Sequence, residues 1–547
     1  MIQPRAASTA FLLPAMLALA ACGGGDSAEG SAGGTQVLRV GNTAEPLSLD
    51  PHLTQGIWES AIISDMIVGL YTDDAAGEPI PGMAAATSVS EDGLTWTFTL
   101  RDAVWSDGVP VTANDFVYAF RRIMNPETLS QYAALLYGVR NAEEVNTGAV
   151  PPEQLGVSAP DDKTLVIELE YPAPYLPSLL THQTTAPVPS HVVEEFGNGW
   201  IQPQNIVVNG PYVLEEWRSN NYVRLVKNPS FYEADQVCFQ EVYYYPTTDV
   251  NAAVRRVRAG ELDINTDFPG QQKEELEREL PGYVHQHPFL LTTYYVFNQR
   301  IAPFDDVRVR QALSMTVDRE FIVDAILRTG QEPTSRLVPP GVTDYPGGPE
   351  ADWWILSREE RLERARALLM EAGFGPNNPL SFEFTYRNTR DNPRIAPVVQ
   401  SNWQDIADWV DVSISGIEAQ IHYENLRTGN FQVGDAGWVA DYNDAQNFLF
   451  LLESRTGAMN YGKYSNPEYD ALVARSNEEL DPAARTALLV QAENMMLADM
   501  PILPMYFDTS RNLVDPTLTG WVDNVGDKHP SRYLCRAPAE TADPAPQ

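Results

Sequence analysis

Basic residues are scarce in this chain: 37 lysines and arginines stand against 74 aspartates and glutamates, a formal net charge of −37 over 547 residues. That shortage excludes nucleic acid as a partner, because phosphate backbones are held by clustered Lys and Arg. It also argues against docking on anionic lipid through the protein surface. The acids are spread along the whole chain, so the surplus reads first as a solubility charge and only second as a preference for cationic cargo. Cysteine is nearly absent, with Cys22, Cys238 and Cys535 alone. No apolar run after Leu19 approaches the roughly 20 residues that span a bilayer. There is no His-Glu-x-x-His, no Gly-x-Ser-x-Gly and no phosphate-cradling glycine loop. The seven histidines are scattered; His285 and His287 share one face of an expected strand, but they lack a third metal ligand. Nothing asks for a cofactor or a metal, and no catalytic residue stands out, which favours a binding protein over an enzyme.

What is present starts at the N-terminus. Arg5 is the only charge before a short apolar stretch, Phe11 to Leu19, that ends in Leu-Ala-Ala-Cys. This reads as a cleaved export signal over 1–21, and its end resembles the lipobox of bacterial lipoproteins, which implies lipid on Cys22. The Gly- and Ser-rich residues 22–36 make a flexible tether, and 537–547 read as a disordered tail rich in Pro and Ala. On length alone the rest suggests three or four domains. Cys238 and Cys535, in an exported chain, are free to form a disulfide.

The body alternates strand runs with capped helices, an α/β pattern. Thr95 to Leu100, Phe382 to Tyr386 and Val410 to Ile414 read as strands. Thr112 with Asp115, Ser357 with Glu360, and Asp481-Pro482 read as helix starts, and Gly373 as a stop. Acid pairs such as Asp73-Asp74 and Asp161-Asp162 are expected in solvent. Aromatic clusters at Tyr243-Tyr244-Tyr245, Tyr294-Tyr295, Trp353-Trp354 and Trp438 to Tyr442 suit either a core or a ligand cleft.

Blocks in order along the chain carry a resemblance: EPLSLDPH from Glu45, WTFTLRDAVWSDGVPVTANDFVYAFRR from Trp96, NGPYVLEEW from Asn209, FDDVRVRQALSMTVDRE from Phe304 and AGWVADYND from Ala436. Together they resemble the oligopeptide-binding branch of ABC-importer solute-binding proteins. The resemblance implies a two-lobed α/β clamshell with an inserted domain. Lobe I would combine 37–68, 190–290 and 508–536; the insert would cover 69–189; lobe II would run over 291–507. The hinge would lie near Leu290 and Phe507. On this map Cys238 and Cys535 share a lobe.

The same resemblance implies a cleft that takes an extended oligopeptide and delivers it to ABC permease subunits with cytoplasmic ATPases. The receptor would be a monomer outside the cytoplasmic membrane, in the cell envelope, touching the membrane only through its lipid. Asp441 would hold the peptide α-amine. Gln55, Ile57, Tyr132, Asn265, Thr266, Tyr294, Gly437, Trp438 and Val439 would line the cleft. Familiar peptide binders carry an acid at the position of Gln55 and a basic residue at that of Asp435. They carry a tryptophan and an arginine at those of Ala419 and Leu426. The amine end is thus retained and the carboxylate end rebuilt, with Arg427 and Arg328 as candidate substitutes; the cargo is then either a longer peptide whose tail leaves the closed cleft or a basic or amidated peptide that Asp435 welcomes. Leu291 and Val439 replace two cysteines joined in some relatives. Rival readings keep the fold but change the cargo to an opine, an oligosaccharide or a metal chelate, or change the role to a sensory or cell-wall-fragment receptor.

Overall fold

Val37–Gly41, Glu241–Tyr245 and Ile264–Asn265 form a parallel trio in one half of an eleven-stranded sheet. The computed structural model describes residues 37–537; the leader, Cys22, the tether and the residues from 538 onward lie outside them. The other half is a second parallel trio, Leu380–Arg387, Val410–Ile417 and Val433–Val439. Helices Asn392–Gln404 and Ala419–Thr428 supply the crossovers that parallel neighbours require. Both strand readings in this second trio are extended by a few residues, and Thr95–Leu100 is a strand over its full expected length.

The helices begin where capping chemistry puts them. Thr112 donates its N–H to Asp115 Oδ2 at 2.9 Å ahead of helix Ala113–Met124. Ser357 and Glu360 bond each other reciprocally ahead of Arg358–Glu371, and Asp481 accepts from Ala484 N–H at 2.8 Å ahead of Pro482–Asp499. A separate four-stranded sheet, Ala84–Val89, Thr95–Leu100, Thr164–Glu168 and Val157–Asp161, forms the inserted domain's framework.

Two strands join the halves. Val284–Phe297 runs for 14 residues and Ile502–Val514 for 13, antiparallel to each other, more than twice the usual strand length. Their register breaks between Pro288 and Thr292. On one side of the break they border Ile264–Asn265, on the other Val433–Val439.

Distant sequence blocks meet in buried ion pairs. Arg122 donates to both oxygens of Asp50 at 2.9 and 2.6 Å and to His52 Nδ1 at 2.7 Å, while Trp200 Nε1 donates to Asp50 at 3.0 Å. Burial pushes the Asp50 carboxyl up, but Arg122 more than offsets this and holds it below its ordinary value. Asp65 takes Tyr244 Oη at 2.7 Å and the Ser531 N–H at 3.0 Å, tying the C-terminal segment to the first helix. Cys238 and Cys535, 297 residues apart, are disulfide-bonded with their Cα atoms 5.3 Å apart. Asp73, expected in solvent, instead pairs with Lys528 at 3.0 Å, because the C-terminal segment folds back over it.

These pairs make stability depend on pH. Burial and the Arg122 charge push His52 down from 6.5 to about 4. Its neutral form is the folded one, so its contribution is complete above its ordinary pKa and drains as pH falls toward 4. Asp65 works the other way: burial raises it to about 6, so acidification relieves it. Comparing wild type with His52→Gln isolates the histidine. Between pH 7 and pH 4.5 the wild type should lose about 2–3 kcal/mol that the variant keeps. Urea unfolding at both pH values reads this, and a pH-independent gap would refute it.

Candidate functional site

The segment Ala436 to Tyr442 reaches its place as the end of strand Val433–Val439. Val439 lies opposite Leu291, Trp438 opposite Thr292, Gly437 opposite Thr293 and Asp435 opposite Tyr295. The strand then turns sharply. Asn447 fixes the corner: its Oδ1 accepts from Trp438 Nε1 at 3.0 Å and from the Asp441 N–H at 2.9 Å. Asp441 is thereby aimed at the inserted domain, where the Tyr132 hydroxyl donates to its Oδ1 at 3.3 Å. His182 Nε2 stands 3.3 Å from the same oxygen. His182 Nδ1 accepts from the Thr184 N–H at 3.4 Å, so the neutral ring carries its proton on Nε2, toward Asp441.

The second oxygen is different. Asp441 is 8% exposed, yet its Oδ2 has no hydrogen-bond partner. It is the only carboxylate oxygen in that condition among the buried side-chain atoms of the described residues. A buried anion left half-satisfied carries a desolvation cost that a cation would remove.

Asp435 behaves in the opposite way. It accepts the Arg387 N–H on Oδ1 at 2.6 Å and Arg387 Nε on Oδ2 at 2.8 Å. Asn392 donates to Oδ2 at 3.0 Å, and His422 Nε2 lies 3.1 Å from Oδ1. Burial alone would raise this carboxyl, but the Arg387 charge and His422 hold it at about 2. The expectation that Asp435 offers its charge to cargo is therefore corrected: both its oxygens are committed within the fold.

Tyr132 and Tyr294 are buried, and burial pushes both hydroxyls well above their ordinary range. Tyr423 and Tyr461 stand beside them, ring centroids 6.2 Å apart, with the Arg387 guanidinium 5.2 Å over Tyr423. The Arg427 charge acts on both hydroxyls, although Arg427 also bonds Glu424 at 3.3 Å. Arg328 is drawn away to Glu274 at 3.2 Å. A methyl group at Gly437 would meet nothing closer than 3.4 Å, so packing within the chain does not demand glycine there. Asn265 is buried with Oδ1 unpartnered, and Thr266 donates to Gly41 O at 3.1 Å. Gln55 and Ile57 lie exposed at the start of helix Ile57–Met66, and no hydrogen bond joins them to Asp441. Trp353 and Trp354 belong elsewhere, 5.2 and 5.8 Å from the buried Arg319 guanidinium.

His182, Asn447, Arg387, Tyr423 and Tyr461 escaped the sequence reading. None sits in a dense motif, and apart from Asn447, whose partners Trp438 and Asp441 are near in sequence, they acquire their roles through partners many residues away.

The Arg387–Asp435 pair yields a test. Arg387→Met strands a buried carboxylate and should cost about 3–5 kcal/mol in chemical denaturation. Adding Asp435→Asn should recover most of that loss; a double variant no better than the single one would contradict the pairing.

Residues 78–460 match the family described as bacterial extracellular solute-binding proteins, family 5 Middle. The periplasmic oligopeptide-binding protein OppA of Escherichia coli K12 is 38% identical over 490 residues, 89% of this chain and 90% of that one. The structure of Haemophilus influenzae OppA in complex with RPPGFSPFR superposes with a TM-score of 0.87 at 35% identity, covering 92% of this chain and 99% of that one. The murein tripeptide binding protein MppA of Escherichia coli gives 0.87 at 37% identity in one structure, covering 92% of this chain and 98% of that one. In its unliganded open form it gives 0.70 at 36% identity, covering 92% and 97%. The lobes of this structure are therefore arranged unlike that open form, in keeping with the direct hydrogen bond from Tyr132 to Asp441.

Proposed function

The chain belongs to the bacterial extracellular solute-binding proteins of family 5, and from that premise we propose that it is the peptide receptor of an ABC importer. It captures a short peptide between its lobes and hands it to a membrane permease. The observation that carries this reading is the buried, unpartnered Oδ2 of Asp441. Tyr132 and His182 hold Oδ1 and leave Oδ2 for the peptide's α-ammonium, whose charge-assisted bond completes the carboxylate. Trp438 and Tyr294 would wall the cleft. At the far end Arg427, with the hydroxyls of Tyr423 and Tyr461, would meet the peptide's carboxylate half.

We propose the domain division that the resemblance implies: lobe I over 37–68, 190–290 and 508–536, the insert over 69–189 and lobe II over 291–507. The register break at Pro288–Thr292 supports a hinge near Leu290. The receptor is a monomer and not an enzyme. It works in the cell envelope, held to a membrane by lipid on Cys22.

Titration calorimetry with a tripeptide and its N-acetylated form tests the reading. Asp441→Asn should weaken binding of the free-amine peptide about 10- to 100-fold, the worth of one charge-assisted hydrogen bond. Acetylation should weaken binding to the wild type by a similar factor and cost the variant little more. If Asp441→Asn binds the free-amine peptide as tightly as wild type, the amine assignment fails.

A further inference from the structure

A second set of charges crosses between the lobes away from Asp441. Asp267 follows strand Ile264–Asn265, and Arg511 lies on the same side of the register break, opposite Gln286. Arg390 and Asp391 sit in the other lobe, between strand Leu380–Arg387 and helix Asn392–Gln404. Arg390 Nε reaches Asp267 Oδ2 at 3.2 Å, Arg511 Nη2 reaches Asp267 Oδ1 at 3.2 Å, and Arg511 Nη1 reaches Asp391 Oδ2 at 3.5 Å. Arg394 extends the series, 3.0 Å from Asp391 Oδ1, and also donates to Ile326 O. Asp267 and Arg511 are buried, whereas Arg390 remains partly exposed.

We propose that Arg390, Asp267, Arg511 and Asp391 form an ion-pair latch that is made when the lobes close and parted when they open, and that it holds part of the empty protein closed.

Three observations carry this. The four charges sum to zero, so the cluster needs no cargo atom to balance its charge. Its pairs alternate in sign across the lobe boundary, so opening must part Arg390 from Asp267 and Arg511 from Asp391. Arg390 also holds a backbone φ of 52°, a left-handed conformation unfavourable for an arginine and sustained only where other contacts fix it. Asp508 and Tyr506 are the further titratable groups acting on Arg511. Opening would leave Asp267 and Arg511 paired with each other while releasing Arg390 and Asp391 to water. Added salt should therefore weaken the latch at its partly exposed arginine.

The test is small-angle scattering of the cargo-free protein, wild type against Arg390→Gln/Asp391→Asn. Neither residue lies in the cleft described above, and a melting curve checks folding. At low salt the variant should be more expanded, with about tenfold fewer closed molecules, and raising the salt should bring the wild type toward it. The control Arg364→Gln, which breaks an exposed pair with Asp352 at 2.8 Å inside one lobe, should scatter like wild type. Superimposable low-salt profiles for wild type and double variant would overturn the latch, as would equal expansion in the control. Scattering uses no peptide, so this result stands or falls apart from the Asp441 assignment. Tri-alanine then serves as probe in calorimetry: its affinity should fall in the double variant, whereas a loss absent for N-acetylated or amidated tri-alanine would mean that these charges read cargo and would overturn a latch indifferent to it.

Discussion

Only the strands Val284–Phe297 and Ile502–Val514 run continuously through both halves of the large sheet. Most of the rest depends on that arrangement. Pairing along the two strands shifts register between Pro288 and Thr292 and again between Thr293 and Tyr294, so bending would concentrate at a few residues. With the proposed hinge at this break, the closed arrangement would be decided by whatever touches across the gap. In this chain the approach is close: at Gly270 a Cβ would collide with Leu327 O, and Gln271 Nε2 donates to Ile326 O at 2.9 Å. Glycine at 270 lets backbone meet backbone, which no larger residue would permit.

The charge distribution follows from the same geometry. A net charge of −37 would make burial of further acids costly, and most buried acids here are matched closely. Asp50 has Arg122 at 2.6 Å, Asp444 has Arg485 at 2.8 Å, and Asp435 has Arg387 at 2.7 Å. Asp65 and Glu493 are buried without a cation, but each of their oxygens accepts a hydrogen bond; Asp441 alone among the buried acids of the described residues has contacts of 3.3 Å on one oxygen and none on the other. The contrast separates charges that hold the fold together from one left for something else. Sign and burial alone do not make that distinction; the count of satisfied oxygens does.

Strands and helix starts were legible in the sequence because they depend on local chemistry: alternation, caps and proline positions. Asp441 was legible because a dense motif surrounds it. Long-range partners were not. Nothing near His182 in the sequence marks it as facing Asp441, and Asn447 acquires its role only when the strand turns at Val439. The aromatic clusters were ambiguous for a related reason. Tyr244 points inward to Asp65, while Tyr243 and Tyr245 stack on the outer face with centroids 6.0 Å apart. One run of three rings thus serves two surfaces, as strand alternation requires. Asp435 was misread because its neutralising arginine lies 48 residues earlier.

That misreading bears on how the cleft's far end is built. An acid at 435 cannot be buried alone, so it commits Arg387, Asn392 and His422. His422 comes from helix Ala419–Thr428, whose inward positions are then His422 and the fully buried Leu426. A cation on that inner face has no room left, and the positive charge that remains, Arg427, acts through the tyrosine pair Tyr423 and Tyr461. Hydroxyls donate in any rotation about their C–O bond and carry no full charge to desolvate. A carboxylate met by them need not arrive at one fixed depth, as it must for a buried, bidentate guanidinium. On the proposed reading of Asp441, the acid at 435 would leave a cleft that fixes the amine end of its cargo sharply and the other end loosely.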